Sequence, residues 1–418
     1  MKLLVSCIPY DSGKSGISVY VREVVRSLLE QGHELTLLCE PGVDEADIRH
    51  STADSQYSDV GCRMSNVARV VHAPRWTRRA VFSMLWHLLV LPFWIRRHCR
   101  DFDGFVICAA NRRVCAWYPL PTAATVHDLA NFHVPGKYSR LRMFYLAHVL
   151  PYFAKKAHRL VAVSGATKAD MVRFWGCQDV DVTVLYNGLV PGAWCLVPGA
   201  RCLVLGARCL VPSAELKRQD LSESNAPSTK HQAPSTKHQA LGTLLYISRI
   251  EHPGKNHVRL IEAYGKLPRA LAEAHPLVIA GADWKDAEAV HAAAARSPHA
   301  DLIRFTGFVD DLEAVWADAG FYVFPSLFEG FGLSLVEAMA RGIPCACSNN
   351  GSLGEIAGDV AITFDPERVD DIAAALERLL AEPEQERADR VARGLEHVKK
   401  FSWKDHAAGL VKLLEGAA

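Results

Sequence analysis

Short apolar runs alternate with segments of helical periodicity along most of the chain. Lys2–Ile8 is apolar and strand-like, residues 19–29 carry apolar side chains at helical spacing, and Glu34–Cys39 is again strand-like. A strand, a helix and a second strand at this spacing predict a βαβ unit and a parallel sheet. Further strands are predicted at residues 104–109, 122–126, 160–164 and 182–185.

The same alternation resumes in the second half of the chain. Strands are predicted at residues 244–247, 276–281, 302–305, 321–324 and 342–348, and a helical tail follows. A chain of 418 residues exceeds the size at which one hydrophobic core keeps growing. We therefore predict two α/β domains, at residues 1–188 and 242–395, with a linker at 189–241.

The linker does not have the composition of a folded domain. One heptapeptide begins at Leu196 and is nearly repeated from Leu203, and a second begins at Ala226 and is repeated from Ala233. Neither has the apolar a and d positions of a coiled coil. We interpret the segment as a low-complexity insertion that arose from tandem repeats in the gene, placed in a connection where added length costs little. Its cysteines and Lys-His pairs are by-products of the repeats, not metal ligands.

Composition and charge exclude several classes of protein. Half of the residues are hydrophobic and the formal net charge is +1, which indicates a globular protein and argues against nucleic acid as a partner. The 12 cysteines show no zinc-type spacing and suit a reducing cytoplasm. The apolar start of the chain is too short for a signal peptide and is predicted to be a strand.

Residues 78–97 form the most apolar segment, with two arginines at each end. The run is shorter than the roughly 20 residues that a transmembrane helix needs, and it contains His87 and Pro92. A core helix is the default prediction. The alternative is an interfacial helix that contacts a membrane, which Trp86, Trp94 and the basic flanks favour.

The stretch Phe321–Met339 carries the strongest candidate chemistry. An apolar strand is followed by a loop with Gly330 and Gly332 and then by a helical segment, an arrangement that places backbone amides and a positive helix end at the carboxyl edge of a parallel sheet. Glu329 and Glu337 lie in this stretch. The structural alternative is that Glu337 completes a capping box with Ser334 and that Glu329 is a solvated loop acid.

Two cations and a histidine complete the candidate set. Arg249 and Lys255 follow a predicted strand and precede a helix, as suits binding of a diphosphate. His127 ends another strand, and Asp128 could orient its ring. Ser164 lies at the end of a fourth strand, and its role could be limited to capping the next helix.

These motifs resemble those of the retaining glycosyltransferases of family 4. The segment Glu-Gly-Phe-Gly-Leu-Ser-Leu-Val-Glu-Ala-Met-Ala from Glu329, the Arg-x5-Lys pattern of Arg249 and Lys255, and the strand ending at His127 all match the family. The resemblance covers nearly the whole chain outside the repeats. It implies the GT-B fold, two doubly wound Rossmann-like domains facing across a cleft, with a C-terminal helix (residues 396–418) that crosses back to the first domain.

The resemblance also implies roles for the residues. The donor would be a nucleotide-diphosphate sugar, its diphosphate held by Arg249, Lys255 and the amides at a helix start. Glu337 would bind the ribose, and Glu329 and His127 would contact the sugar. The amides implied are those of Gly16, Gly332, Leu333 and Ser334, and Val309 would contact the base. Only Gly16 of the family's Gly-Gly turn carries over, because this chain has Ser15 before it.

The implied reaction is transfer of a sugar, with retention and without a metal ion or other cofactor, to a glycan or lipid-linked glycan of the cell surface. We expect a cytoplasmic protein, peripheral at the inner face of the membrane if residues 78–97 contact lipid. Two alternatives stay open. One is a GT-B sugar-nucleotide epimerase, which needs no acceptor, and the other is a non-catalytic nucleotide-sugar or glycan-binding protein.

Overall fold

The structure is a computed structural model that describes residues 1–11, 15–43, 48, 67–134, 139–189, 242–309 and 311–417. The predicted repeat insertion therefore lies outside the described residues, and the boundaries predicted for the linker stay predictions.

The first half of the chain forms a parallel sheet with helices on both faces. Its strand order is β3-β2-β1-β4-β5-β6-β7, and neighbouring strands pair in parallel. The strands are β1 (Lys2–Ser6), β2 (Glu34–Cys39), β3 (Val67–His72), β4 (Gly104–Ile107), β5 (Thr122–Val126), β6 (Arg159–Ala162) and β7 (Val182–Val184). The helices are α1 (Gly16–Glu30), α2 (Ala80–Leu85), α3 (Leu91–Arg97), α4 (Arg140–Phe144), α5 (Leu150–Ala154) and α6 (Gly165–Trp175).

The second half repeats this architecture. Its parallel sheet has the order β10-β9-β8-β11-β12-β13. The strands are β8 (Thr243–Ile247), β9 (Leu277–Ala280), β10 (Ile303–Gly307), β11 (Ala319–Phe324), β12 (Cys345–Ser348) and β13 (Ile362–Phe364). The helices are α7 (His257–Tyr264), α8 (Arg269–Ala274), α9 (Ala287–Arg296), α10 (Leu312–Ala317), α11 (Leu333–Ala340), α12 (Leu353–Ala357), α13 (Val369–Leu380), α14 (Glu384–His397) and α15 (Trp403–Glu415).

Alternate residues of the strands supply two apolar layers, one on each face of the first sheet. Leu3 and Val5 of β1 belong to the layer that α1 covers, and Leu4 belongs to the opposite layer with Trp86 and Leu150. Strands buried on both faces explain the continuous apolar runs in the sequence.

The C-terminal helix α15 packs on the first sheet, as the GT-B prediction requires. It contacts α1, β4 and β5. Tyr20 of α1 bridges Thr125 of β5 and His406 of α15 through its hydroxyl, at 2.9 and 2.8 Å. Because α15 follows the second sheet in sequence, the chain crosses between the halves twice.

The second crossing lies beside the end of the first half. The amide of Leu189 donates to the carbonyl of Phe401 at 3.2 Å, and a Cβ on Gly188 would come within 2.1 Å of the Trp403 amide nitrogen. The Asn187-Gly188 dipeptide therefore lets two chain segments pass side by side between the halves.

Residues 78–97 are helical and pack on the core as predicted, but along one side only. A π-helical turn, Trp86–Val90, joins α2 to α3, and one side of this helical segment is buried while Val81, Phe82 and Phe93 are exposed. Another π-helical turn, Tyr145–Val149, joins α4 to α5 in a helical segment that was not predicted. In the part of the chain that the structure describes, no helix is both long and apolar enough to span a bilayer.

Candidate active site

The loop after β11 brings the glycines and both glutamates to the carboxyl edge of the second sheet. Gly332 has a φ of 98° and is the N-cap of α11, without a side-chain cap. Because α11 begins at Leu333, Ser334 is its second residue and not its cap. The capping-box alternative for Glu337 is therefore wrong. Ser334 instead accepts a hydrogen bond from the Tyr322 hydroxyl at 2.8 Å.

Lys255 and Glu329 form an ion pair in this loop region. The Lys255 Nζ lies 2.6 Å from the Glu329 Oε1, and the two side chains are 22% and 18% exposed. The Glu329 carbonyl also accepts bonds from the amide and hydroxyl of Ser352, which fixes its backbone. Glu329 is therefore not a solvated loop acid: it is held beside a cation at the carboxyl edge of the six-stranded sheet.

Glu337 lies on the first turns of α11 in a partly buried position. Burial raises the pKa of its carboxyl group to about 7; Glu313 adds to the rise, and Arg341 opposes it. Because burial makes the charged form of this carboxyl group unfavourable, ligand hydroxyls that donate hydrogen bonds to it would stabilise the charge.

Arg249 and Val309 lie at the same sheet edge, after β8 and β10. The described contacts of Arg249 are a 3.5 Å pair with Glu251 and stacking on the ring of Trp284. The guanidinium is half exposed, so a pair of this kind is weak and an anion can displace it. Val309 is partly buried.

His127 directly follows β5, at the carboxyl edge of the first sheet. Its Nε2 lies 2.6 Å from the Cys108 carbonyl, which can only accept, so Nε2 carries the proton and Nδ1 is left as an acceptor. Burial lowers the pKa of His127 to about 4, and the ring is neutral at physiological pH. The predicted orienting bond from Asp128 is wrong, since the bond to Cys108 orients the ring and Asp128 accepts from the Ala130 amide.

The two sheet edges meet at Gly330. A Cβ at this position would lie 1.8 Å from the His127 carbonyl oxygen, so only glycine allows the loop to approach so closely. Ser164 donates to the Gly330 carbonyl at 2.7 Å. The Thr167 hydroxyl lies 3.3 Å from the same oxygen and 3.2 Å from the His127 carbonyl oxygen, and its single hydrogen is shared between these two acceptors. Ser164 also caps α6, as predicted.

A carboxylate from the second half closes the same junction. The two oxygens of Glu355 accept bonds from the amides of Gly165 and Ala166 at 2.8 and 3.0 Å, at the positive end of α6. The Tyr186 hydroxyl donates to Glu355 at 2.7 Å. Two sets of contacts hold the halves together here: those of Ser164 and Thr167 with Gly330, and those of Glu355 with the start of α6. We call them the interdomain clamp. Sequence reasoning missed Thr167 and Glu355, because nothing local marks a partner more than 150 residues away.

The starts of α1 and α11 also face each other. A Cβ on Gly16 would lie 3.8 Å from the Leu333 side chain. Neither helix has a side-chain cap among the residues that the structure describes, so the backbone amides and the positive dipole ends of two neighbouring helix starts lie at this junction. Lys255, Glu329 and His127 lie beside the place where the two sheet edges meet. Among the residues that the structure describes, no group of three or more His, Cys, Asp or Glu side chains has a metal-binding arrangement.

Comparison with known proteins agrees with this architecture. The model of Glycosyltransferase Family 4 matches residues 14–191, and that of Glycosyl transferases group 1 matches residues 228–395. The fold is similar to that of Anabaena HepE in complex with UDP and glucose, with a TM-score of 0.65 at 15% identity over the full length of both chains.

Two curated relatives come from Escherichia coli. O-antigen chain mannosyltransferase B is 38% identical over 167 residues, which are 39% of this chain and 43% of that protein. The serotype-specific mannosyltransferase WbdA is 35% identical over 182 residues, which are 42% of this chain and 22% of that protein. The chain thus matches less than half the length of these relatives. The two family models, which between them span most of the chain, and the GT-B architecture identify this protein as a member of glycosyltransferase family 4.

Proposed function

We propose that this protein transfers a mannosyl group from a nucleoside-diphosphate mannose to a glycan acceptor, with retention of anomeric configuration and without a metal ion. The observation that carries the proposal is the meeting of Lys255, Glu329, His127 and two helix starts between the sheets. The mannosyl group is proposed from the E. coli relatives. O-antigen or another surface polysaccharide is the acceptor class they support, and the cytoplasm is the proposed compartment.

The charge on the leaving group determines what the site must do. Cleavage of the bond between the sugar and the phosphate builds negative charge on the diphosphate, and preorganised donors that face this charge lower the barrier. Lys255 and Arg249 supply two positive charges, and the starts of α1 and α11 supply amides and positive dipole ends. In this proposal these groups do the work that a divalent cation does in other sugar transferases.

Three side chains position the rest of the donor. The Glu337 carboxylate accepts hydrogen bonds from the ribose hydroxyls. Glu329 holds the sugar ring and offsets positive charge at the anomeric carbon. His127 offers Nδ1 as an acceptor to a sugar hydroxyl, because Nε2 is occupied by the Cys108 carbonyl.

Retention follows from attack on the face that the diphosphate leaves. The bond between the anomeric carbon and the phosphate oxygen breaks, and a bond to the acceptor oxygen forms on the same face. The acceptor proton passes to the departing phosphate oxygen, so no protein base is needed. The interdomain clamp keeps the edges together during this step and limits entry of water.

The first test is a thermal-shift panel with GDP, UDP, ADP and their sugars, measured with and without a chelator. A bound ligand well above its dissociation constant stabilises the protein, so we expect one nucleotide to raise the melting temperature and Glu337→Ala to abolish the shift. A shift that disappears with the chelator would contradict metal independence. No shift with any ligand would contradict the proposed donor site.

The second test uses the identified donor with octyl α-mannoside. We expect a product whose anomeric configuration by NMR equals that of the donor. Rearrangement of the donor without any acceptor would indicate an epimerase instead.

We also propose that the first domain contacts a membrane through residues 78–97, as expected for an enzyme whose acceptor is lipid-linked.

A further inference from the structure

Exposed apolar side chains are concentrated on two helical segments of the first half. In the segment of α2 and α3, Val81 is 61% and Phe93 is 64% exposed. In the segment of α4 and α5, Leu141 is 81% and Phe144 is 59% exposed. Trp76, Phe82, Leu85, Leu89, Val90 and Tyr152 are also exposed there. So many large apolar side chains together indicate an interaction surface.

One loop between β4 and β5 contacts both segments, so they are neighbours on the same side of the first sheet. The Ala116 amide donates to the Leu88 carbonyl at 2.9 Å, and the rings of Phe93 and Trp117 pack edge to face at 4.5 Å. The Tyr118 hydroxyl donates to the Phe153 carbonyl at 3.2 Å on the other segment. We call the exposed sides of residues 75–100 and 139–156 the basic apolar surface.

The charge on this surface has one sign. Residues 75–100 contain six arginines and residues 139–156 contain two arginines and two lysines, and neither range contains an Asp or a Glu. These ten side chains are exposed. Two copies of the chain that paired through this face would bring like charges together, which disfavours a second copy as the occupant. A surface of exposed aromatic and aliphatic side chains among cations matches an anionic lipid bilayer.

The basic apolar surface begins at the end of the first half that borders the cleft. α2 follows the carboxyl end of β3, and α4 follows the carboxyl end of β5, where His127 lies. Both helical segments therefore begin at the sheet edge that borders the cleft. A bilayer in contact with them would present a lipid-linked glycan at the cleft entrance.

We infer that this face docks on an anionic bilayer through both helical segments and so delivers a lipid-linked acceptor to the cleft. The inference extends the contact proposed at residues 78–97 to a second helical segment and to a lipid charge. It rests on the proposed function for the identity of the acceptor, but lipid binding is measured without catalysis.

The test is sedimentation of the full chain with vesicles of phosphatidylcholine, with or without phosphatidylglycerol. We expect binding to the mixed vesicles, weakened by salt and by about fivefold for each arginine lost in Arg78→Gln and Arg79→Gln. Leu141→Gln with Phe144→Gln should also weaken binding, although these residues lie outside residues 78–97. Val180→Gln is the control, because Val180 is 84% exposed on the same half but outside this surface.

Three results would overturn the inference: equal binding to both vesicle types, full binding by the Leu141 and Phe144 double variant, or self-association that the same variants abolish. The thermal-shift panel on each variant separates this inference from the proposed function. A protein that binds donor but not vesicles refutes only the docking surface. A protein that binds vesicles but no nucleotide refutes the donor site.

Discussion

The Gly330→Ala substitution should disturb closure of the cleft without disturbing the fold of either half. The new methyl group would lie 1.8 Å from the His127 carbonyl oxygen, so the loop and the carbonyl must separate by roughly 1.6 Å to reach an ordinary contact. The backbone φ at Gly330 is not in the left-handed region, so alanine is not strained there. The clash is between the halves, and neither half should lose stability.

The expected loss follows from the interdomain clamp. Separation removes the Ser164 bond to Gly330, a neutral bond worth about 1 kcal/mol, and weakens the charged bonds of Glu355, worth about 1.5–3 kcal/mol. A total of about 2.5–4 kcal/mol, at about 1.4 kcal/mol for each factor of ten, lowers kcat by roughly 60- to 700-fold. Donor affinity should fall much less than kcat, because Arg249, Lys255 and Glu337 of the second half supply most of the donor contacts in this proposal, and the first half adds only His127 and the start of α1.

The assay is release of nucleoside diphosphate from the donor identified by thermal shift, with octyl α-mannoside as acceptor. Gly394→Ala is the matched control, since nothing lies within 4 Å of a Cβ at that position in α14; it should keep full activity and gain up to about 1 kcal/mol of stability. A folded Gly330→Ala variant with a kcat close to that of the parent protein would refute the role of closure.

Three further changes test individual residues. Lys255→Ala should weaken nucleoside-diphosphate binding roughly 10- to 100-fold by calorimetry, because it removes a charged donor, whereas the exposed Lys285→Ala should have no effect. Glu337→Gln should weaken nucleotide binding yet raise the melting temperature at pH 8 more than at pH 5: the folded carboxyl group titrates near pH 7 and the unfolded one near 4.5, so the cost of the buried charge develops as pH rises between these values. Equal changes in melting temperature at both pH values would contradict the burial of the Glu337 charge. Ser164→Ala should lower kcat about fivefold through loss of its bond to the Gly330 carbonyl and should also lower the melting temperature through loss of the α6 cap. An unchanged kcat would show that the bond to Gly330 does not hold the cleft closed.

The alternation of apolar runs and helical periods determined the fold class. Buried parallel strands must be apolar on both faces, so β1, β5 and β11 could be recognised from short sequences. The candidate site could also be located, because carboxyl ends of parallel strands meet at one edge. Glu329, Lys255 and His127 each follow such a strand.

Only the tertiary structure decided how these residues are used. The capping-box alternative for Glu337 depended on where α11 begins, and the φ of Gly332 places that start at Leu333. The side-chain acceptor of the Lys255 cation, the proton position on His127 and the clamp at Glu355 all depend on partners far away in sequence. The first two contacts form when segments distant in sequence become neighbours within one half, and the clamp forms only where the two halves meet. Periodicity along the chain contains no information about either distance.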